Sequence, residues 1–598
     1  MRMRTGGVVV REWLESSGIG HFFHVPGETF LPILDALVDS SVTLVTCRHE
    51  SGASFAATAY ARHGRQLGER RPGVCMGTRG PGASNLTIGL HTAMYEALPL
   101  VVLLGQVPTT VLDSGAFQEV DMKFLYAPVS KQVLYVAEAE SLPGVLRQAE
   151  LTALTDRPGP VVVVLPQNLL SHAVAAPMPP RATFVTPGHV SAADIAPVMD
   201  ALVSAERPLV LSAVDWSDSE QHVLADAVSR LGLPVMNAWR YYASFPNQHD
   251  NFCGNLGLGA PSAVDAALRA ADVIVGLGPV LEDVNLGGGA KLHSDAHLTV
   301  VCPYTDAAGT RRTGSAAVRF VTVHPAAFVA GLGGWVGANP VAAQMLRDRF
   351  AGYTASLHEG TMSEGAGAGA VAGAGAGNDV AVGKAGGLGA VAMDFDGSDA
   401  GASRIGSDGH GESEDAHHGV EMDELFRRLE VVIPKHAVVS SDAGNFAQWL
   451  LRHLRFGERK FVGPVNGAMG YGLPGAIGVK LADPSRPVWC ISGDGGFLMT
   501  AAELNTAVRL GLDLVCVVVN NGVYGTIRAH QERQFPGRPA GTELGDVDYA
   551  AVARGMGWQA WTVSTADELA AALRVVAETP GCRLIDARVR RDVLAVGQ

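Results

Sequence analysis

The sequence predicts an α/β protein of three doubly wound parallel-sheet domains, with a disordered Gly/Ala-rich linker between the second and the third. Three observations carry that prediction. Short apolar runs rich in β-branched residues alternate with helix-length segments along most of the 598 residues, the pattern of parallel strands joined by crossover helices. Gly, Pro, Asn and Asp follow several of those runs, where strand carboxyl ends belong. The stretch 359–420 stands apart, because its composition offers almost nothing from which to build a core. The expected domains are 1–172, 186–345 and 421–598, with the linker at 359–420.

Composition excludes several function classes. With 47% hydrophobic and 17% charged residues the chain reads as globular. A net charge of −14 and no basic patch argue against a nucleic-acid partner. The seven cysteines form no C-x-x-C pair, which argues against a zinc site or a disulfide framework. Met1 to Phe23 lacks an apolar signal core, and no apolar run approaches the ~20 residues of a membrane span. The expectation is a cytoplasmic protein with no membrane partner.

The most informative stretch is Pro487 to Asn521. It reads as a strand from Val488 to Ser492, a turn Gly493-Asp494-Gly495-Gly496, a helix from about Thr500 to Leu510, and a strand from Leu514 to Val519 before Asn520-Asn521. Gly511 stands where a helix C′ residue belongs. A right-handed crossover makes the two strands parallel, so Asp494 and Asn521 emerge together at their carboxyl ends. Asp494, the Asn521 amide and the Val523 carbonyl offer three hard oxygens, to which phosphate oxygens and water would add an Mg²⁺ octahedron. Gly493, Gly495 and Gly496 let backbone approach a diphosphate. A lone Gly-Asp-Gly is a common turn and Asn-Asn a common loop start; together they resemble the thiamine-diphosphate signature.

The first domain alternates helices (Val8 to Ser16, a second through Val38, Ser51 to Arg62) with strands (His21 to Val25, Val42 to Cys47, Val74 to Gly77, Leu100 to Leu104, Val161 to Leu165). Thr78 to Asn85 reads as a loop before another helix. Glu50 follows the second strand. A first-turn Glu suits the helix macrodipole on its own. The cofactor supplies a sharper reading: its aminopyrimidine must reach the imino tautomer, so a buried carboxylic acid has to share a proton with a ring nitrogen. Glu50, set against Ala53, Phe55 and Ala56, meets that need.

The middle domain contains strands Leu209 to Ser212, Val273 to Leu277 and Leu298 to Val301. Gly276 and Gly278 lie at a strand end, but the third Gly of a dinucleotide fingerprint is missing, so structural glycine is the reading. The Gly/Ala repeat Gly365 to Gly377 and the acidic stretch Asp394 to Asp415 read as flexible linker, with His410, His417 and His418 solvated rather than metal-bound. The last domain starts near Glu421 with helix Met422 to Leu429 and strand Ala437 to Ser441. The loop Asp442-Ala443-Gly444-Asn445 comes next, then Gly467 to Ala476, and a final strand near Leu584 to Ala587. Met469 is by default a core residue, although a soft wedge beneath a folded cofactor would look the same in sequence.

With these motifs in place, the chain resembles the thiamine-diphosphate enzymes of the acetohydroxyacid (acetolactate) synthase and pyruvate oxidase group. The resemblance implies that Glu50 contacts the cofactor pyrimidine, that Asp494, Asn521 and the Val523 carbonyl hold the metal, that Met469 is the wedge, and that Gly444 and Asn445 form the diphosphate loop. Gly105-Gln106-Val107-Pro108 matches the family's GQVP stretch and places Gln106 near the thiazolium. Gly115 to Glu119 resembles its AFQE segment, with Gln118 beside the site. Such sites form between subunits, so the resemblance implies a homo-oligomer in which Glu50 reaches a partner subunit's metal centre.

Departures from the pattern bear on substrate. Gly27-Glu28 stands where the synthases have Gly-Gly. Gly278-Pro279-Val280 replaces their flavin-contacting Gly-Ala-Arg, which counts against FAD. Thr526, Ile527, Arg528 and His530 stand where they place apolar residues and a tryptophan, so the acceptor pocket is expected to be more polar. His91 replaces an alanine and is either a proton relay or a packed histidine. The implied activity is decarboxylation of a 2-keto acid, with pyruvate as first guess, and addition of the remaining unit to an acceptor carbonyl. Three alternatives are a decarboxylase or aldehyde lyase, an acyl transferase to phosphate, and a non-catalytic cofactor-binding paralogue.

Overall fold

The computed structural model of the chain describes residues 4–182, 190–304, 316–367 and 419–596. The runs expected as strands form three six-stranded sheets in which every pairing is parallel. The first contains β1 (His21–His24), β2 (Thr43–Thr46), β3 (Gly73–Gly77), β4 (Leu100–Gln106), β5 (Gln132–Tyr135) and β6 (Pro160–Pro166), in the order β2-β1-β3-β4-β6-β5. The second contains β7 (Pro208–Ser212), β8 (Val235–Asn237), β9 (Phe252–Asn255), β10 (Val273–Leu277), β11 (His297–Val301) and β12 (Ala317–Val321), ordered β12-β11-β10-β7-β8-β9. The third contains β13 (Val438–Ser441), β14 (Lys460–Val462), β15 (Val488–Gly493), β16 (Leu514–Asn520), β17 (Gln559–Val563) and β18 (Cys582–Arg588), ordered β14-β13-β15-β16-β18-β17.

The first and third sheets share one strand order, which reverses direction between β1 and β3 and between β13 and β15. Ligands of open α/β sheets bind outside the carboxyl ends of strands at such switch points. Strands β4, β6 and β16 are buried along their whole length, which explains their near-continuous Val/Leu runs.

One apolar core spans the first and third sheets. Helix Glu50–Gln66, after β2, packs along helix Gly472–Ala482, after β14. Small residues make this crossing close: Ala53, Ala56 and Ala57 on one helix, Gly475, Ala476 and Gly478 on the other, all buried. A Cβ at Gly478 would stand 2.1 Å from the Ala56 carbonyl oxygen. Phe55 and Tyr471 close one end, edge to face at 5.3 Å. A second core joins the middle sheet to the third, where Tyr242 lies 4.8 Å from Phe461.

Several element boundaries differ from expectation. The helix expected after Asn85 begins at Gly80, because Pro81 fits a first helical turn. The expected turn at Gly493–Gly496 is the end of β15 followed by helix Asp494–Thr500, and a second helix covers Glu503–Arg509. Helix Pro340–Gly367 packs over β9, where His358 Nδ1 meets the Phe252 carbonyl at 2.7 Å, so the segment expected as linker from 359 begins as the continuation of a helix held by tertiary contact. Residues 368–418, with His410, His417 and His418, lie outside the described residues. Among the described residues no single helix is long and apolar enough to cross a membrane; the pair Pro325–Ala338 and Pro340–Met362 is bent by 106° and lies against the middle sheet.

Gly478→Ala forces overpacking at the helix crossing. We expect a loss of roughly 1–3 kcal/mol of unfolding free energy, read from urea denaturation.

Candidate active site

At the carboxyl edge of the third sheet a single carboxylate organises three loops. Asp442, directly after β13, is fully buried. Its oxygens accept hydrogen bonds from the Ala443 amide (2.8 Å), the Gly470 amide (2.9 Å) and the Ser492 hydroxyl (2.9 Å). A Cβ at Gly496 would lie 2.6 Å from its Oδ2. Asp442 thus draws together the Gly444-Asn445 loop, the Met469 segment and the Gly493–Gly496 segment. Burial pushes its carboxyl up from the ordinary range, opposed by these donors.

The expected metal ligands meet beside this cradle. Asp494 is 3% exposed. It accepts from the amides of Gly495 (2.8 Å) and Gly522 (2.7 Å). Burial raises its carboxyl to about 6, a cost that a bound cation would offset. The Asn521 side chain accepts from the Val523 amide at 3.2 Å. A Cβ on Gly525 would lie 2.8 Å from Asn445 Nδ2 and 3.1 Å from Asn521 Nδ2, so the two asparagines converge on one glycine. Met469, half-buried, lies between β14 and Gly470. Among the described residues no three His, Cys, Asp or Glu side chains group as a metal site. One carboxylate with neutral amide and carbonyl oxygens suits Mg²⁺ completed by phosphate oxygens, and the glycine cradle leaves room for the phosphates. The residues present therefore fit the pair.

The amino-terminal residues gather at the start of helix Gly80–Tyr95. Glu50, 8% exposed, accepts from Asn85 Nδ2 at 2.9 Å, and a Cβ at Gly82 would approach its Oε1 to 3.0 Å. Gln118 has a left-handed backbone (φ 63°) and its carbonyl accepts from the Gly80 amide at 2.9 Å. Gln106 is buried at the end of β4, where its Nε2 donates to the Val120 carbonyl at 3.0 Å. Gly27 packs on Thr78, and Glu28 is exposed beside it. His91 is exposed rather than packed, and faces Asn466, three residues before Met469, at 2.9 Å. Among the described residues no hydrogen bond joins Glu50 to Asp494 or Asn521 of its own chain.

Helix Gly525–Gln534 carries the expected acceptor residues, with Thr526, Ile527 and His530 exposed. Arg528 is half-buried on the same helix. It is ion-paired with Glu543, which also pairs with Arg591, because the segment around Glu543 bridges back to Val523. At the switch point of the middle sheet a crevice of about 350 Å³ is lined by Val214, Pro279, Tyr304, Arg65 and His324. Gly276 and Gly278 are explained by packing there: added Cβ atoms would meet Val280 at 2.4 Å and the Ala213 carbonyl at 2.5 Å.

Two partners had no sequence assignment. Asn85 was visible as a polar residue in a Gly-rich run, but its bond to Glu50 depends on where the helix starts. Glu503 accepts from the amides of Arg48 (2.9 Å) and His49 (3.1 Å), fixing the turn that delivers Glu50. Asp442→Asn would place an amide donor against donors. We expect it to cost about 1–3 kcal/mol in urea unfolding and to weaken thiamine-diphosphate binding in a fluorescence titration.

Comparison with known proteins agrees with this geometry. Residues 4–125, 195–322 and 442–587 match, respectively, the N-terminal TPP binding, central and C-terminal TPP binding domains of thiamine pyrophosphate enzymes. The chain is 26% identical over 592 residues to the acetolactate synthase large subunit of Haemophilus influenzae, covering 96% of this chain and 92% of that protein. It is 28% identical over 587 residues to the acetolactate synthase isozyme 3 large subunit of Escherichia coli, covering 95% and 91%. The thiamine diphosphate-dependent 4-hydroxybenzoylformate decarboxylase of Rhodococcus jostii RHA1 shares the fold, with a TM-score of 0.75 at 22% identity over 98% of this chain and 99% of that one. Matched in all three of its sheets, the chain belongs to the thiamine pyrophosphate enzymes and acts in carbon–carbon bond formation or cleavage.

Proposed function

We propose that the protein is a thiamine-diphosphate- and Mg²⁺-dependent carboligase of the acetolactate synthase kind, using pyruvate as donor and a second keto acid or an aldehyde as acceptor. The observation that carries this reading is the convergence of Asn445, Asn521 and buried Asp494 on one glycine-walled cradle, a donor set matched to a magnesium diphosphate. The names of relatives aligned along nearly the whole chain support the synthase chemistry.

Thiamine diphosphate, when bound, supplies the electron sink for loss of CO₂ from a 2-keto acid. Asp494, Asn521 and the Val523 carbonyl hold the metal. Gly444, Asn445, Gly493, Gly495 and Gly496 would receive the phosphates, and Met469 would supply an apolar contact to the cofactor. Glu50, oriented by Asn85, holds the proton that a pyrimidine nitrogen must gain and lose. Gln106, Gln118 and His91 offer polar groups for the reacting carbonyl and its proton. Gly27, Glu28, Thr526, Ile527 and His530 border the acceptor. The reading includes a homo-oligomer in which Glu50 serves a partner subunit's metal site, supported by the absence, among the described residues, of any hydrogen bond from Glu50 to Asp494 or Asn521 of its own chain. Phe117 and Phe124, exposed by 78% and 85%, together with Met499 at 52%, supply apolar surface for that contact.

A decarboxylase or lyase is the second reading. The pairing of Arg528 with Glu543 favours it, since a guanidinium already engaged by a carboxylate is less available to a second one.

Glu50→Gln is expected to lose most turnover while still binding thiamine diphosphate; unchanged turnover would remove Glu50 from the chemistry. Proton NMR of the protein with Mg²⁺, thiamine diphosphate and pyruvate, without FAD, should show acetolactate. Acetaldehyde would establish the decarboxylase reading, and acetyl phosphate formed with added phosphate would establish an acyl transferase.

A further inference from the structure

Where the three sheets meet, four ionisable side chains are shut away from solvent: Arg62, Glu96, Asp215 and Arg240. Arg62 lies on the helix that begins with Glu50. Its Nε faces Asp215 at 3.2 Å, and its Nη1 donates to Glu96 Oε2 at 3.1 Å and to the Gly463 carbonyl at 2.6 Å. Its Nη2 donates to the Arg240 carbonyl at 3.0 Å. Glu96 in turn accepts from the Val465 amide at 2.7 Å. The formal charges cancel.

Stability alone does not explain such a group, because apolar residues of similar volume hold a junction equally well without the desolvation cost. What the group does is seize loop backbone. Gly463 and Val465 open the segment that leads through Asn466, itself held by His91 and Thr92, to Met469 and to the Gly470 amide on Asp442. The second route runs through Arg240, a non-glycine residue in the left-handed region (φ 64°) whose carbonyl Arg62 holds. Its Nη1 donates to the Asp442 carbonyl at 3.1 Å. Two chains of contacts therefore leave one guanidinium and end on the cradle, one at Met469 and one at Asp442.

We propose that Arg62 is a positioning residue for the cofactor cradle, fixing from the amino-terminal unit where segment 463–470 and Asp442 stand. This rests on the reading of the cradle as the thiamine-diphosphate site. A lysine cannot replace Arg62, because a single ammonium does not reproduce the fork that meets Asp215, Glu96 and two carbonyls together.

The test uses the full-length protein with Arg62→Lys and the isosteric Glu96→Gln. The expected result is at least a tenfold rise in the thiamine-diphosphate concentration for half-maximal fluorescence quenching at fixed Mg²⁺. Saturating cofactor should restore kcat to within about twofold. In the cofactor-free protein, amide hydrogen exchange should rise at least tenfold in 463–470 while β15 and β16 remain protected. Should Arg62→Lys fail to fold, Glu96→Gln decides. Equal half-saturation and equal exchange in wild type and variants would overturn the inference, as would a lowered melting temperature without either change. Failure of the wild-type protein to bind thiamine diphosphate would instead overturn the functional reading beneath it.

Discussion

The Asp442 carboxylate is the constraint on which the rest of the site depends. A carboxylate without solvent is costly unless its lone pairs are filled, and here they are filled by donors from loops far apart in sequence. The cost of burying the group thereby becomes a preference for one loop arrangement. Moving any of the three loops would leave an acceptor unmet. The glycine at 496 follows from this, since a Cβ there would stand 2.6 Å from the carboxylate, whereas Gly470 is required by its left-handed backbone (φ 84°) and by Met499 and Thr500, which an added Cβ would meet at 3.2 Å. Asp494 and Asn521 then stand at the mouths of adjacent strands β15 and β16, with no long side chain needed to reach the shared space.

The protein relies on small residues where it needs rigidity and on charge where it needs registration. The crossing of helices Glu50–Gln66 and Gly472–Ala482 is tight because Ala and Gly let the backbones approach, which leaves little freedom for sliding. The junction around Arg62 is polar, and each of its bonds has a direction. Van der Waals contact sets how closely the units lie, while hydrogen bonds set which loop atoms face which.

Much of this was legible in the sequence, for reasons specific to each part. The strands read clearly because both faces are buried and β-branched residues fill them. The placement of the Gly-Asp-Gly and Asn-Asn pairs read clearly because each follows a buried apolar run, and right-handed crossover makes those runs adjacent parallel strands whose ends lie together. Helix starts at Gly80 and Asp494 were obscured, since glycine signals a turn locally and the close approaches that demand it come from distant segments. The pairing of Arg528 with Glu543, fifteen positions along the chain, was hidden, since nothing in local sequence announces it. Asn85 and Glu503, which hold and deliver Glu50, were hidden for the same reason. Their partners are set by folding rather than by spacing.

The shared strand order of the first and third sheets has a further consequence. The helix after β2 and the helix after β14 follow equivalent strands, and these are the two that lie against each other. Equivalent surfaces meeting each other is the mark of an isologous contact between identical partners. Within one chain, it is what a twofold interface becomes when duplication and fusion place both ancestral copies on a single polypeptide. The two halves differ at their ligand edges, where Glu50 opens the helix after β2 in one and Asp494 follows β15 in the other.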